Sequence, residues 1–228
     1  MTTGPLLVVD TATTRALVAV GSADGVLRAD RSWVAGYRHG EELLVNVEAL
    51  LRDEATTIGT LGGLVVGTGP GAFTGLRVGI ATMKALAHAL RIPLVGVSTG
   101  EALLAAAGGG RRVLLQPAGQ ADRVLTRPGV APRILPGGEQ PDLAPDESLV
   151  AVDLDGRATE DALRAGRRAL DGVAAALLRT GAARLAAGDA DDLATLAPEY
   201  VTLPRGARDV PAGGGVELTG TASAGGDR

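Results

Sequence analysis

Few side chains in this 228-residue chain could do chemistry, and they gather at two places. Asp10 ends the apolar run Leu6-Leu7-Val8-Val9 and precedes the hydroxyls of Thr11, Thr13 and Thr14. A carboxylate among hydroxyls at a strand end can help hold a metal-bound phosphate. It can also order its own turn through local hydrogen bonds, which is the favoured reading. The second place is Gly67-Thr68-Gly69-Pro70-Gly71-Ala72. As a string it fits the G-x-G-x-x-A dinucleotide fingerprint, in which free N–H groups at a helix N-terminus cradle phosphate. That fingerprint expects an acidic residue about 20 positions on to hold the ribose. No Asp or Glu lies between Glu54 and Glu101, and Pro70 has no N–H to offer. There is no G-x-x-x-x-G-K-[ST] string either. Gly67, Gly69, Pro70 and Gly71 therefore read as a structural turn from strand to helix.

Other chemistry is scarce. His39 and His88 are too far apart to form a ligand-spaced pair, and the chain has no cysteine, so thiolate metal sites and disulfides are excluded. No metal site is expected. Ser98-Thr99 could suggest a nucleophile, but no histidine or lysine base is near in sequence. Net charge is -4, so the chain carries no basic footprint for binding nucleic acid alone. No run of about 18 apolar residues suggests a membrane span. Asp10 interrupts the first apolar run with no basic segment before it, which argues against a leader. A cytoplasmic protein with no membrane contact is expected.

The elements that must position these residues follow from periodicity. Pro5 to Asp10 and Arg15 to Val20 read as buried strands, and Val26 to Val34 as a more polar edge strand after the Asp24-Gly25 turn. Leu43, Leu44, Val47, Leu50 and Leu51 recur at helical spacing within 39–55, with Glu41 and Glu42 in the first turn. Leu61 to Val66 is a strand, Thr74 to Leu90 a helix and Pro93 to Val97 a strand. The order is β-β-β-α-β-α-β, a meander followed by βαβ units. That is the ribonuclease-H-like half of the actin and sugar-kinase architecture, an α/β fold with a mixed sheet, and not the topology of a dinucleotide-binding sheet.

The second half is less regular. Strands are expected at 113–115, 123–126 and 149–152, a short helix from Glu101 to Ala107, and mostly loop from Pro128 to Pro145. Thr159 to Thr180 is an amphipathic helix with Thr159 as N-cap and Leu163, Leu170, Val173 and Leu177 on one face. Three regions result: a first lobe over 1–104, a smaller degenerate second lobe over 105–204, and a disordered tail over 205–228.

The helix after the glycine turn has two apolar faces. Leu76, Ile80, Met83, Ala87 and Leu90 form a large one; Gly75, Val78, Gly79, Thr82, Ala85 and Ala89 form one of small residues. Only Arg77, Lys84 and His88 make a polar stripe. Such a helix must be buried on more than one side. One side can pack on the sheet. The other needs a cover, either another part of this chain or another protein.

On these residues the chain resembles the TsaB family of tRNA-modification proteins. The matching segments are LLVVDTATTRALVAV, RHGEELLVNVEALL and GTGPGAFTGLRVGIATMKALAHALRIPLVGVSTGEALL, with APEYVTLPRG similar to the family's closing segment. The strong similarity covers about the first 105 residues. It implies a two-lobed actin-like ATPase fold and a scaffold without catalysis of its own. Such a scaffold docks its first two helices on a catalytic paralogue, TsaD, which places threonylcarbamoyl on adenosine 37 of tRNA. The partner-facing residues expected are Leu43, Leu44 and Val47 in the first helix, and Gly75, Leu76, Val78, Gly79, Thr82, Met83 and Leu86 in the second.

The resemblance further implies a TsaE-type small ATPase as partner, self-association as a homodimer, and tRNA contact only through partners. ATP and magnesium would enter only through partner subunits or the complex interface, with no tightly bound cofactor. Asp10, Thr11 and Thr13 would be a vestigial phosphate or metal site. Where the paralogue carries an H-x-x-x-H metal pair, this chain has Thr99 and Leu103. In the second lobe, Leu115 to Asp122 departs from the family's Asp-Ala-Arg-Arg-like pattern. The alternative is an ATP-binding kinase or hydrolase of the same fold using Asp10.

Overall fold

The computed structural model of the chain describes residues 4–35 and 39–201. The tail expected over 205–228 lies outside the described residues. The first sheet starts with β1 (Leu6–Asp10), β2 (Arg15–Gly21) and β3 (Leu27–Val34), paired antiparallel in sequence order. Along β1, Leu6 and Val8 enter one core and Leu7 and Val9 the opposite one. Burial on both faces explains why the run is continuously apolar and not alternating. Each of these side chains contributes roughly 1.5–3 kcal/mol of burial. Gly25, at φ 86°, takes the left-handed conformation that the β2–β3 hairpin needs.

β4 (Gly63–Gly67) joins β1 in parallel, and β5 (Leu94–Val97) joins β4 in parallel. The sheet order is β3-β2-β1-β4-β5, the ribonuclease-H-like arrangement. α1 (His39–Asp53) and α2 (Phe73–Leu90) lie on the same face of it. α1 covers β2 and β3, while α2 covers β4 and β1. Leu43, Val47, Leu50 and Leu51 of α1 and Ile80, Met83 and Ala87 of α2 share one core with Leu7 and Val9.

The opposite face is closed by α3 (Thr99–Ala106) and α4 (Glu160–Ala186). Ser98 caps α3, its hydroxyl accepting from the Glu101 N–H, so the helix starts two residues earlier than Glu101. α4 begins at the expected Thr159 cap, which accepts from the Ala162 N–H. It then runs past Thr180 to Ala186. Gly181, just past the expected end, serves close approach: a Cβ there would lie 2.4 Å from the Val65 side chain. The buried face of α4 is built largely of Ala and Gly, with Val173, Leu177 and Leu178. Leu163 and Leu170, assigned to that face by the wheel, are only half-buried.

The second sheet has the order β8-β7-β6-β9, from β6 (Arg111–Ala118), β7 (Asp122–Arg127), β8 (Val130–Leu135) and β9 (Glu147–Ala151). β8 corrects the expectation of loop from Pro128 to Pro145. The turn signals are real at its ends, but Val130 to Leu135 pairs with β7 as an edge strand, where Pro132 is tolerated. One core runs from Leu6 and Val8 through α3 and α4 to Leu114 and Val150. It therefore joins the two sheets.

Beyond α4 the chain runs back along β5. The Asp191 N–H donates to the Leu94 carbonyl at 2.9 Å, and the Gly96 N–H donates to Asp191 Oδ2 at 2.7 Å. Arg184 holds this strap by donating to Asp189 Oδ2, Asp191 Oδ2 and the Gly96 carbonyl. The strap covers an edge that would otherwise offer unpaired backbone groups. The strap, counted with the second lobe by chain order, thus lies on the first sheet, and α4 packs on both sheets. No helix among the described residues is long and apolar enough to cross a membrane.

Candidate functional site

Asp10 stands at the end of β1, only 4% exposed. Its Oδ1 accepts from the Ala12 N–H at 2.7 Å and its Oδ2 from the Thr99 hydroxyl at 2.7 Å. Burial pushes the carboxyl up from its ordinary 3.8 to about 6, opposed by these two hydrogen bonds. Both oxygens are therefore engaged in ordering the turn. Thr11 donates to the Gly75 carbonyl at 2.7 Å, and Thr13 to the Arg15 carbonyl at 2.9 Å. The hydroxyls beside Asp10 bind the chain's own backbone.

The glycine turn interlocks with the Asp10 turn. A Cβ on Gly67 would lie 2.2 Å from Asp10 Oδ2, and one on Gly71 2.1 Å from the Ala12 carbonyl. Three N–H groups of the turn bind the chain itself: Thr68 on the Val97 carbonyl, Gly69 on Thr99 Oγ1, Ala72 on the Ala12 carbonyl. Pro70 follows Gly69 through a cis peptide. The turn places α2 against the Asp10 turn. Thr99 is taken up by Asp10 and Gly69, and Leu103 is fully buried in the shared core. No three His, Cys, Asp or Glu side chains among the described residues group as metal ligands would.

The docking helices divide differently from the wheel. Leu43, Val47, Gly75, Leu76, Gly79 and Met83 are buried within the chain itself. In the isolated chain their cover comes from the chain itself, which a wheel does not distinguish from cover by a partner's helix. Gly79 is small because the Thr11 hydroxyl would lie 2.3 Å from a Cβ there. Val78, Thr82 and Leu86 are half-buried, and Leu44 is 52% exposed. Beside Leu44, Val45 is 65% exposed. A groove of about 680 Å³ runs along α1 between Leu44, Val47, Glu48, Leu51 and the turn at Ile58. On α2, Ala81 and Ala85 are exposed.

Several residues that shape the site were not expected. Asp153 of the second lobe accepts from the Thr14 N–H at 2.8 Å and the Thr14 hydroxyl at 2.6 Å. Glu199 accepts from the Ser98 hydroxyl at 3.1 Å, and burial raises its carboxyl above the usual range. Tyr200 stacks on Phe73 with ring centroids 5.2 Å apart and accepts from Arg77 Nε at 3.0 Å. The Arg77 guanidinium sits 3.7 Å from the Phe73 ring centroid. The closing Pro-Glu-Tyr segment therefore fastens the strap to the start of α2. Between the lobes, Ala12, Thr14, Phe73, Gln116 and Asp153 line a cleft of about 380 Å³.

The strand order, the Asp10 turn and the two sheets sharing inner helices define a protein of the two-lobed actin-like class. Residues 33–152 match the family described as TsaD, tRNA N6-adenosine threonylcarbamoyltransferase. That is more than half of the chain, and the chain belongs to this family. It is 43% identical over 99 residues to an uncharacterised protein of Mycobacterium tuberculosis, covering 43% of this chain and 47% of that one. It is 35% identical over 94 residues to the tRNA threonylcarbamoyladenosine biosynthesis protein TsaB of Escherichia coli, covering 41% and 40%. The chain thus spans less than half the length of these curated relatives. YeaZ from Pseudomonas aeruginosa superposes with a TM-score of 0.66 over 86% of this chain and 99% of its own, at 24% identity. That likeness shows the fold.

Proposed function

We propose that this chain is a non-catalytic scaffold subunit in the making of threonylcarbamoyladenosine in tRNA. It docks through α1 and α2 on a TsaD-type catalytic subunit in the cytoplasm. The observation that carries the reading is the apolar surface of α1, with Leu44 and Val45 exposed inside the segment that matches the family. The likeness to the tRNA threonylcarbamoyladenosine biosynthesis protein of Escherichia coli supports it. The engagement of both Asp10 oxygens within the chain favours a structural role for that residue over ATP-dependent catalysis. A TsaE-type ATPase joins the assembly, tRNA is met through the partners, and ATP with magnesium enters only with them. Self-association uses the same helix face in the partner's absence.

The test is association with a TsaD-type subunit, measured by sedimentation velocity for the wild type and for Leu44→Glu with Val45→Glu. Both side chains are exposed, so circular dichroism and thermal unfolding should stay near wild type. A charged pair in a desolvated helix interface should weaken association by at least about a hundredfold. Unchanged association by a folded double variant would remove α1 from the docking surface. Threonylcarbamoylation by the reconstituted system should fall in parallel.

A further inference from the structure

The outer side of the second lobe carries a cavity of about 390 Å³ that neither the docking face nor the interlobe cleft includes. Arg112, Arg164 and Arg168 line it, over an apolar floor that includes Leu149 and Ala165. Arg164 and Arg168 are four residues apart on α4 and so share a helix face. Arg112 reaches the same space from β6, opposite Ser148 of β9. Near the cavity several arginines are matched to acids: Arg167 to Glu160, Arg111 to Asp146, Arg127 to Glu147. Arg112 and Arg168 have no carboxylate partner among the described residues. Arg112 donates from Nη1 to the Ser148 hydroxyl at 2.8 Å, while its Nε is buried with no acceptor. The one carboxylate in the wall, Asp161, is held by Arg164 at 3.2 Å.

A half-buried guanidinium keeps five fixed N–H donors. Leaving them unmatched is costly unless an anion completes the site. Planar donor forks suit phosphoryl oxygens, which can be met two at a time. The space is about that of a mononucleotide-sized molecule. We infer that Arg112, Arg164 and Arg168 form an anion site for a phosphoryl group, its attached body resting on the apolar floor. The phosphoryl group belongs either to a free small phosphate ester or to the phosphodiester backbone of an RNA, which would then touch this chain directly and not only through its partners. Both present the same oxygens to the same arginines.

The experiment uses the full chain and two probes. Calorimetry with adenosine monophosphate, with adenosine as control, reads the small-molecule source. Fluorescence anisotropy with a labelled tRNA-length RNA reads the backbone source. Binding of either probe should weaken by at least about tenfold in Arg168→Gln, the loss of one charged hydrogen-bonding group. Arg112→Gln should do the same. Arg168 is exposed, so its variant keeps the fold and decides the matter if Arg112→Gln does not fold. Arg167→Gln makes the same charge change on the same helix outside the cavity, and its binding should stay at the wild-type level. Monophosphate binding identifies a free ester, and RNA binding alone identifies the backbone. Failure to bind either probe overturns the site. Equal losses in Arg167→Gln and Arg168→Gln overturn it too, since binding would then follow net charge.

Discussion

Replacing Asp10 with asparagine removes a buried charge while keeping the shape of the turn. In the folded chain the carboxyl ionises at about 6 in place of its ordinary 3.8. Below about pH 4 both folded and unfolded chains hold the proton. As pH rises towards 6 the unfolded chain releases it first, so the native state loses stability across that window. At about 1.4 kcal/mol per pH unit, the loss from this one group reaches about 3 kcal/mol by pH 7. Asparagine does not titrate. It keeps an oxygen for the Ala12 N–H but offers the Thr99 hydroxyl no acceptor, at a cost of about 1 kcal/mol. The variant should be the less stable protein near pH 4 and the more stable one at pH 7, by about 1–2 kcal/mol after these two effects are combined. Urea unfolding followed by circular dichroism, at half-unit steps from pH 4 to 7.5, reads the difference directly. Taking wild type minus variant cancels Glu199, whose carboxyl is also raised. A difference that stays constant across the range would show that Asp10 ionises normally, and would refute the burial argument.

Gly79→Val drives a branched side chain into the Thr11 hydroxyl and should cost about 2–3 kcal/mol. Thermal unfolding of the isolated chain should show the whole loss, without any partner present. Arg184→Met releases the strap from β5. Hydrogen exchange at the Gly96 and Asp191 amides should then quicken by at least about tenfold, while the amides of β1 keep their protection.

The first sheet is readable because its strands are short apolar runs bounded by turn residues and its helices keep a clean period. Asp10 as an ordering residue is half readable: the Ala12 N–H is a local partner two positions on, but the Thr99 hydroxyl is 89 positions away. Where the sequence misleads, the deciding neighbour is remote. Gly75 and Gly79 look like a seat for a foreign helix, but Thr11, 64 positions from Gly75, occupies that seat. The helix expected to end at Thr180 continues because Gly181 packs against Val65, 116 positions away. Pro132 disguises β8, since an edge strand gives up a hydrogen bond without showing it in the residue pattern. Asp153 binds Thr14 across 139 positions, a separation at which no local pattern carries a signal. Leu44 and Leu43 are alike by composition, and only their angle about α1 separates a surface residue from a core one.

The core that passes from Leu6 through α4 to Val150 also sets how the molecule can move. In kinases of comparable two-part design, the halves swing about a hinge to close over ligand. Here the inner helices are rivets through both plates. Swinging the sheets apart would shear Gly166 off the Ala151 carbonyl and Gly181 off Val65, contacts that tolerate no added atom. Thr14 and Asp153 latch the mouth of the cleft as well. The chain is built as a single bracket, its two sheets joined through one core.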